Sequence, residues 1–378
     1  MTAPVRAVVD LAAIAHNVGV LREHAGPAEV MVVVKADGYG HGLLPSARSA
    51  LAGGASWLGV ATMVEAMTLR DNGIDVPLLT WLHVPGTDFA AAVAAGVDIS
   101  VSASWALDEV SGAAAAVGRA ARVHLKVDTG LARNGAFGQD WPALLAAARR
   151  RESDGLVRVV GIWSHFAYAD APQHPTVRQQ QDLFVQAVRD AERAGCALEV
   201  RHLANSAATL TNHSARFDLV RPGLAAYGLS PVPDVADAAG LGLVPAMTLT
   251  ADVSLVKTIP AGQGVSYGHQ YHPRRDTTVV LVPAGYADGV PRNATNVGPV
   301  LVAGARHTVS GRVCMDQFVV DVGPDAAVRA GDAVVLFGPG ANGEPTAQDW
   351  AEATGTISYE IVTRVGARVP RTYIGGDA

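Results

Sequence analysis

Through the first two thirds of the chain, short β-branched runs alternate with segments whose apolar residues recur at helical spacing. The runs are EVMVVVK (29–35), WLGVA (57–61), PLLTW (77–81), VDISV (97–101), ARVHLKVD (121–128), VRVVGIWSH (157–165), EVRHLAN (199–205) and FDLVRPG (217–223). Between them lie amphipathic stretches such as VRQQQDLFVQAVRDAERAG, in which Leu183, Phe184, Ala187, Val188 and Ala191 fall on one face. Eight strand–helix repeats predict an α/β fold built as a parallel (β/α)8 TIM-like barrel, with a doubly wound sheet as the competing arrangement. The small-residue, proline-containing stretch GLSPVPDVADAAGLGLVP (228–245) reads as a linker. Beyond it the pattern changes to alternating strands in TLTADVSLVKTI, TTVVLVPAGY, HTVSGRV, QFVVDV and GDAVVLF, with helical spacing only around TAQDWAEATG. The expected division is a barrel over 5–240 and a mostly antiparallel β domain over 241–378.

Composition narrows the functional classes. The 378 residues are 49% hydrophobic and 17% charged, enough for two sizeable cores. The net charge of −6 is spread without blocks of either sign, so the basic stripe that nucleic-acid binding needs is missing. A long apolar run such as FAAAVAAGV falls well short of the ~18 residues of a membrane span, and MTAPVRAVVD lacks the layout of a signal peptide. Two cysteines imply no disulfide framework. The expectation is a soluble cytoplasmic protein with no nucleic-acid or membrane partner.

The polar residues then fall in one place. Barrel chemistry sits at the C-terminal strand ends and in the loops that follow them. Lys35 ends the first run, Lys126 and Asp128 the fifth, with Arg133 in the next loop. His165 ends the sixth, Asn205 and Ser206 follow the seventh, and Arg221 ends the eighth. Any one of these has an ordinary reading as a solvated lysine, a satisfied histidine or an ion-pair partner, but eight on one rim point to an active site. The loops after strands seven and eight, ANSAAT and RPGLAAYG, place a serine and a glycine at the start of short helical stretches, where backbone N–H groups bind anions. A phosphorylated cofactor that condenses with an amine fits, and pyridoxal phosphate is one, because a desolvated lysine forms a Schiff base with its aldehyde.

The stretch VVVKADGYGHG resembles the pyridoxal-phosphate signature of the alanine racemase family. The resemblance continues in HLKVDTGLARNG, GIWSHFAYAD, HLANSAATL, VRPGLAAYG, VSYGHQY, VPAGYADG, GRVCMDQ and ISYEIVTRVGARVPR, in that order and over nearly the whole chain. It implies a barrel plus β domain working as a head-to-tail homodimer with shared active sites, interconverting L- and D-alanine by a two-base mechanism and supplying D-alanine for peptidoglycan. Lys35 is implied as cofactor anchor and one base, and Tyr267 of the second subunit as the other. Ser206, the backbone of Gly223 and Leu224, Tyr39 and Tyr359 are implied around the phosphate, with Asn205 beside them. Arg221 is implied at the pyridine nitrogen and His165 near the ring. Arg133 and the Met315 N–H are implied for the substrate carboxylate, Tyr286 on the substrate side, and Lys126 as a carbamylated lysine that orients Arg133. No metal is implied.

Arginine stays protonated, so a ring nitrogen facing Arg221 does not, and the weaker electron sink suits racemisation over transamination. Two positions depart from the family pattern or stay open. Ala132 stands where a glycine often precedes the arginine, and near the third strand either Trp81 or His83 can line the site. Competing readings are a serine or broad-specificity racemase, a decarboxylase, a non-catalytic pyridoxal-phosphate carrier, and a metal-dependent hydrolase using Lys126, His165 and His202.

Overall fold

The computed structural model describes residues 3–376, so the last two positions of the expected β domain lie outside the described residues. Eight parallel strands form the barrel: Glu29–Val33, Trp57–Val60, Leu78–Thr80, Asp98–Val101, Ala121–Lys126, Val157–Trp163, Val200–His202 and Leu219–Val220. The eighth pairs with the first through Glu29↔Leu219 and Val30↔Val220, and an Asn205↔Arg221 bridge joins it to the seventh, so the cylinder closes. These strands are covered on both faces, which is why they read as continuous β-branched runs. Inside, Met31, Trp57, Leu79, Val200 and Leu219 make an apolar plug. Polar side chains are thereby confined to the remaining interior and the rim.

The surrounding helices bury one stripe each. In the helix Pro175–Arg193 the buried residues are Val177, Gln180, Phe184, Ala187, Val188 and Ala191. Leu183, expected on that stripe, is 55% exposed. It lies about 100° around the helix from Phe184, at the margin of the buried stripe.

The barrel does not begin at residue 5. Strand Val5–Asp10 pairs antiparallel with Met247–Asp252 and parallel with Arg371–Ile374, inside the sheet of the second domain. Its side chains alternate between buried and half-buried, the pattern of a strand covered on one face. That six-stranded sheet runs Ala305–Thr308, Pro299–Val302, Ala333–Phe337, Met247–Asp252, Val5–Asp10, Arg371–Ile374. A second sheet of three antiparallel strands holds Leu255–Ile259, Thr277–Val282 and Phe318–Gly323. Two helices complete the domain. Ala347–Thr354 is the one expected from TAQDWAEATG, with a Thr346–Asp349 capping box; Ser358–Thr363 was not expected.

The two domains are welded together. Tyr39, Leu224 and Tyr227 from the barrel rim belong to the same apolar cluster as Leu249, Trp350 and Ile361 of the β domain. Among the described residues, no helix is long and apolar enough to cross a membrane.

Candidate active site

A cavity of about 760 Å3 opens at the C-terminal ends of the barrel strands. Its lining includes Lys35, Tyr39, Lys126, Arg133, His165, Asn205, Ser206, Arg221, Gly223, Leu224 and Tyr359. Trp81 and His83 both border it as well.

Lys35 leaves the first strand through an unusual turn. Ala36, Asp37, Gly38 and Tyr39 all have φ between 53° and 59°, a left-handed turn in which only one residue is glycine. Each non-glycine residue there costs about 1–2 kcal/mol, so surrounding contacts must hold it. Glu65 Oε1 accepts from the Ala36 N–H at 2.7 Å, and Asp37 Oδ1 accepts from the Leu43 N–H at 2.8 Å. The His41 Nδ1 sits 3.0 Å from both the Gly38 and Tyr39 carbonyls. Strain of this sort collects at functional sites. It leaves Lys35 facing the cavity, where burial and then the charge of Arg133 hold its amine below the ordinary lysine value.

Hydroxyls and amides gather at one end of the cavity. Ser206 opens the helix Ser206–Thr211, capped by Asn205, whose Oδ1 accepts from the Ala208 N–H at 3.1 Å. Ser206 Oγ accepts from the N–H of Gly223 at 2.9 Å and of Ala225 at 3.3 Å. Tyr39 packs on Tyr227 with centroids 4.9 Å apart and approaches Tyr359 at 6.3 Å. Burial raises the Tyr39 phenol and pushes Tyr359 up to about 12, so both remain neutral donors.

Cations crowd the opposite wall. Lys126 Nζ lies 4.0 Å over the Trp163 ring, and the Arg221 guanidinium lies 4.8 Å from the same centroid. Arg221 donates to the Ser164 carbonyl at 2.7 Å and lies 3.3 Å from His165 Nδ1. Among the described residues no carboxylate pairs with it, and burial lowers it to about 9, still protonated at neutral pH. Burial first, then Arg221 and Arg133, push Lys126 down to about 7. The same burial and cations keep His165 well below the ordinary histidine value and therefore neutral.

The loop carrying Arg133 is pinned by Asp128, whose Oδ1 accepts from the N–H groups of Gly130, Leu131 and Ala132. Ala132 sits at φ 56°, in the left-handed region that favours glycine.

Tyr267, Tyr286 and Met315 are not in this cavity. They are 72%, 44% and 54% exposed on the β domain. The backbone nevertheless brings them together: the Tyr286 N–H donates to the Cys314 carbonyl, the Ala287 N–H to the Met315 carbonyl, and Ser266 Oγ to the Arg312 carbonyl. Exposed aromatic and thioether side chains clustered on one surface mark a contact site.

Sequence reasoning missed several participants. Glu65, which holds the turn after Lys35, reads in sequence only as the third residue of a capping box with Thr62. Trp163, under both Lys126 and Arg221, reads as strand core. His202, a candidate metal ligand alongside Lys126 and His165, has both of its ring nitrogens engaged, one near Arg221 and one near His124.

Known proteins share this architecture throughout. Residues 9–231 match the family described as alanine racemase, N-terminal domain, and residues 246–373 match alanine racemase, C-terminal domain. An alanine racemase from Frankia casuarinae is 59% identical, over 97% of this chain and 96% of the relative. One from Beutenbergia cavernae is 58% identical, over 100% and 99%. The crystal structure of alanine racemase from D-cycloserine-producing Streptomyces lavendulae superposes with a TM-score of 0.98 at 54% identity, covering 100% of this chain and 98% of the other. With both domains matched along their length, the chain belongs to the alanine racemase family.

Proposed function

We propose that the enzyme interconverts L- and D-alanine, with pyridoxal 5'-phosphate held in the barrel cavity and each site completed by a second copy of the chain. The observation that carries this reading is the division of the chemistry between two places. Lysine, arginines and an amide–hydroxyl end converge in the barrel, while an exposed Tyr267 stands beside Tyr286 and Met315 on another face.

The residues fit the cofactor. A phosphate suits the end where Ser206 Oγ meets the amides of Gly223 and Ala225 and where Tyr39 and Tyr359 keep their protons. Asn205 supports that end through its cap, and the Leu224 backbone adjoins it. Arg221 suits an unprotonated ring nitrogen, since the guanidinium only donates, and His165 flanks the ring. Lys35, with its proton affinity lowered by burial, suits a covalent link to an aldehyde. When bound, pyridoxal phosphate accepts the charge left behind as the alanine Cα proton departs.

The chain's own groups do the rest. Lys35 Nζ takes or returns the proton on one face of Cα. Tyr267 Oη of the second copy does so on the other, because one side chain cannot easily serve both faces. Arg133 receives the substrate carboxylate together with the Met315 N–H of the second copy, and Tyr286 borders the substrate. Lys126, with a substantial fraction unprotonated at neutral pH, adds through its amine to carbon dioxide and loses a proton. The resulting carbamate balances the surrounding cations and orients Arg133. The same reading puts the enzyme in the cytoplasm, making D-alanine for peptidoglycan.

Subunit mixing tests the shared site. Lys35→Ala and Tyr267→Phe preparations, each inactive alone, are expected to regain activity when their subunits exchange, because one hybrid site then keeps both bases. No recovery with exchange demonstrated would contradict the reading.

A further inference from the structure

Three polar side chains lie inside the barrel beneath the cavity. Asp98 is 2% exposed, and His124 and His202 are fully buried. Asp98 Oδ2 lies 3.0 Å from His124 Nε2, His124 Nδ1 lies 2.8 Å from His202 Nε2, and His202 Nδ1 lies 3.3 Å from the Arg221 guanidinium.

The two ends fix the direction of every bond between them. A guanidinium only donates, so His202 Nδ1 carries the lone pair and the ring proton sits on Nε2. That proton is donated to His124 Nδ1. The His124 proton therefore sits on its own Nε2 and is donated to Asp98, which only accepts when ionised. Reversing His202 would set an N–H against Arg221, and reversing His124 would set a lone pair against the Asp98 carboxylate. Burial, followed by the charge of Arg221, holds His202 well below the ordinary value, consistent with a neutral ring.

The chain is built rather than incidental. Burial alone would raise the Asp98 carboxyl, but hydrogen bonds from His124 and Arg122 together with the charge of Arg122 outweigh it and hold Asp98 below the usual range. Arg122 donates to Asp98 at 2.7 Å and also pairs with Glu199 at the exposed end. Position 161 leaves room: a Cβ there would lie 2.3 Å from His124 Nδ1, the atom that accepts from His202. The Trp163 ring stacks on His202 at 5.6 Å, with only 5° between the planes. Among the described residues, His202 is the one acceptor for Arg221 Nη1; Nη2 is met by the Ser164 and Leu203 carbonyls and by His165.

We propose that Asp98 is a positioning residue for Arg221, acting through His124 and His202. The three one-way hydrogen bonds fix the plane of the guanidinium and, by mutual polarisation, its donor strength toward the ring nitrogen of the cofactor. The proposal rests on the reading of Arg221 given above.

Nitrogen NMR of the histidines in the unaltered holoenzyme is the first test, and it needs no variant to fold. Both His124 and His202 are expected neutral with the proton on Nε2; a charged His202, or one protonated at Nδ1, would overturn the proposal. The second test reads the ring nitrogen of 15N-labelled pyridoxal phosphate bound to the enzyme. Asp98→Asn and His202→Leu are each expected to shift that resonance and to lower kcat about tenfold, the scale of one charge-assisted hydrogen bond. KM should stay within about twofold, since the loss falls on the transition state. His202→Gln should recover part of the shift, because its amide can accept from Arg221 and donate to His124. A ring resonance unchanged in Asp98→Asn and His202→Leu would overturn the proposal. An Arg221→Lys control that also leaves it unchanged would locate the failure in the reading of Arg221 itself.

Discussion

Gly223 lies directly against Tyr39: a Cβ at position 223 would sit 2.2 Å from the Tyr39 hydroxyl. One residue thus offers its N–H to Ser206 and clears the space in which a buried phenol donor ends. Gly223→Ala must push Tyr39 away from the amide–hydroxyl end. The affinity of the apoenzyme for pyridoxal phosphate, measured by fluorescence titration, is expected to fall about tenfold or more, as for one lost charge-assisted hydrogen bond. Unchanged affinity would contradict the assignment of that end to the phosphate.

Tyr267 is the opposite case, an exposed aromatic with no role in its own chain's core. Tyr267→Phe is expected to cut racemisation from both L- and D-alanine by about 10²–10⁴-fold, the worth of a positioned acid–base group. The midpoint of urea unfolding should barely move, because surface substitutions usually stay within about 0.5 kcal/mol. Retained activity in either direction would remove Tyr267 from the mechanism.

The strained Ala132 gives a stability prediction. Its φ of 56° costs about 1–2 kcal/mol relative to glycine, which gives back about 0.4–1 kcal/mol through the freer unfolded chain. Ala132→Gly is therefore expected to stabilise the protein by about 0.5–1 kcal/mol in urea unfolding. A destabilised variant would contradict the strain argument.

Lys126 ties stability to pH. Its amine titrates at about 7 in the folded protein, against about 10.4 for a free lysine. Between these limits the unfolded chain binds the extra proton, so this group's contribution to stability improves as pH rises; below about 7 its penalty is complete. Lys126→Met removes the titration. In buffer free of carbon dioxide, the variant should exceed the parent most at neutral pH and below, and the gap should narrow as pH climbs toward about 10. A gap independent of pH would show that the amine is not held down by its surroundings.

The barrel was legible because its strands are buried on both faces and several of them lead into a polar residue, so Lys35, Lys126, His165 and Arg221 announce one rim. Val5–Asp10 was not, because its partner Met247–Asp252 lies some 240 residues away and nothing local distinguishes a strand of one sheet from a strand of another. The turn at 36–39 reads as an ordinary glycine-rich loop, since its left-handed backbone is held by contacts to Glu65 and Leu43, which lie outside it. The buried polar column had a readable trace: Arg122, His124 and Lys126 alternate along one strand and so share its inner face. Asp98 and His202 could be joined to it only once the strands were in place. Tyr267 carries no local signal of its role, because the cavity it is assigned to belongs to a second copy.

The isotopic course of the reaction tests the two-base account most directly. The purified enzyme would be incubated with L-alanine in deuterated water, with L-serine in parallel, and sampled before equilibrium. The account predicts D-alanine carrying deuterium at Cα, residual L-alanine still largely protiated, and D-serine formed far more slowly. D-alanine that retains the original proton, or deuterium appearing in L-alanine as fast as in the product, would mean that one group serves both faces and would contradict the pairing of Lys35 with Tyr267.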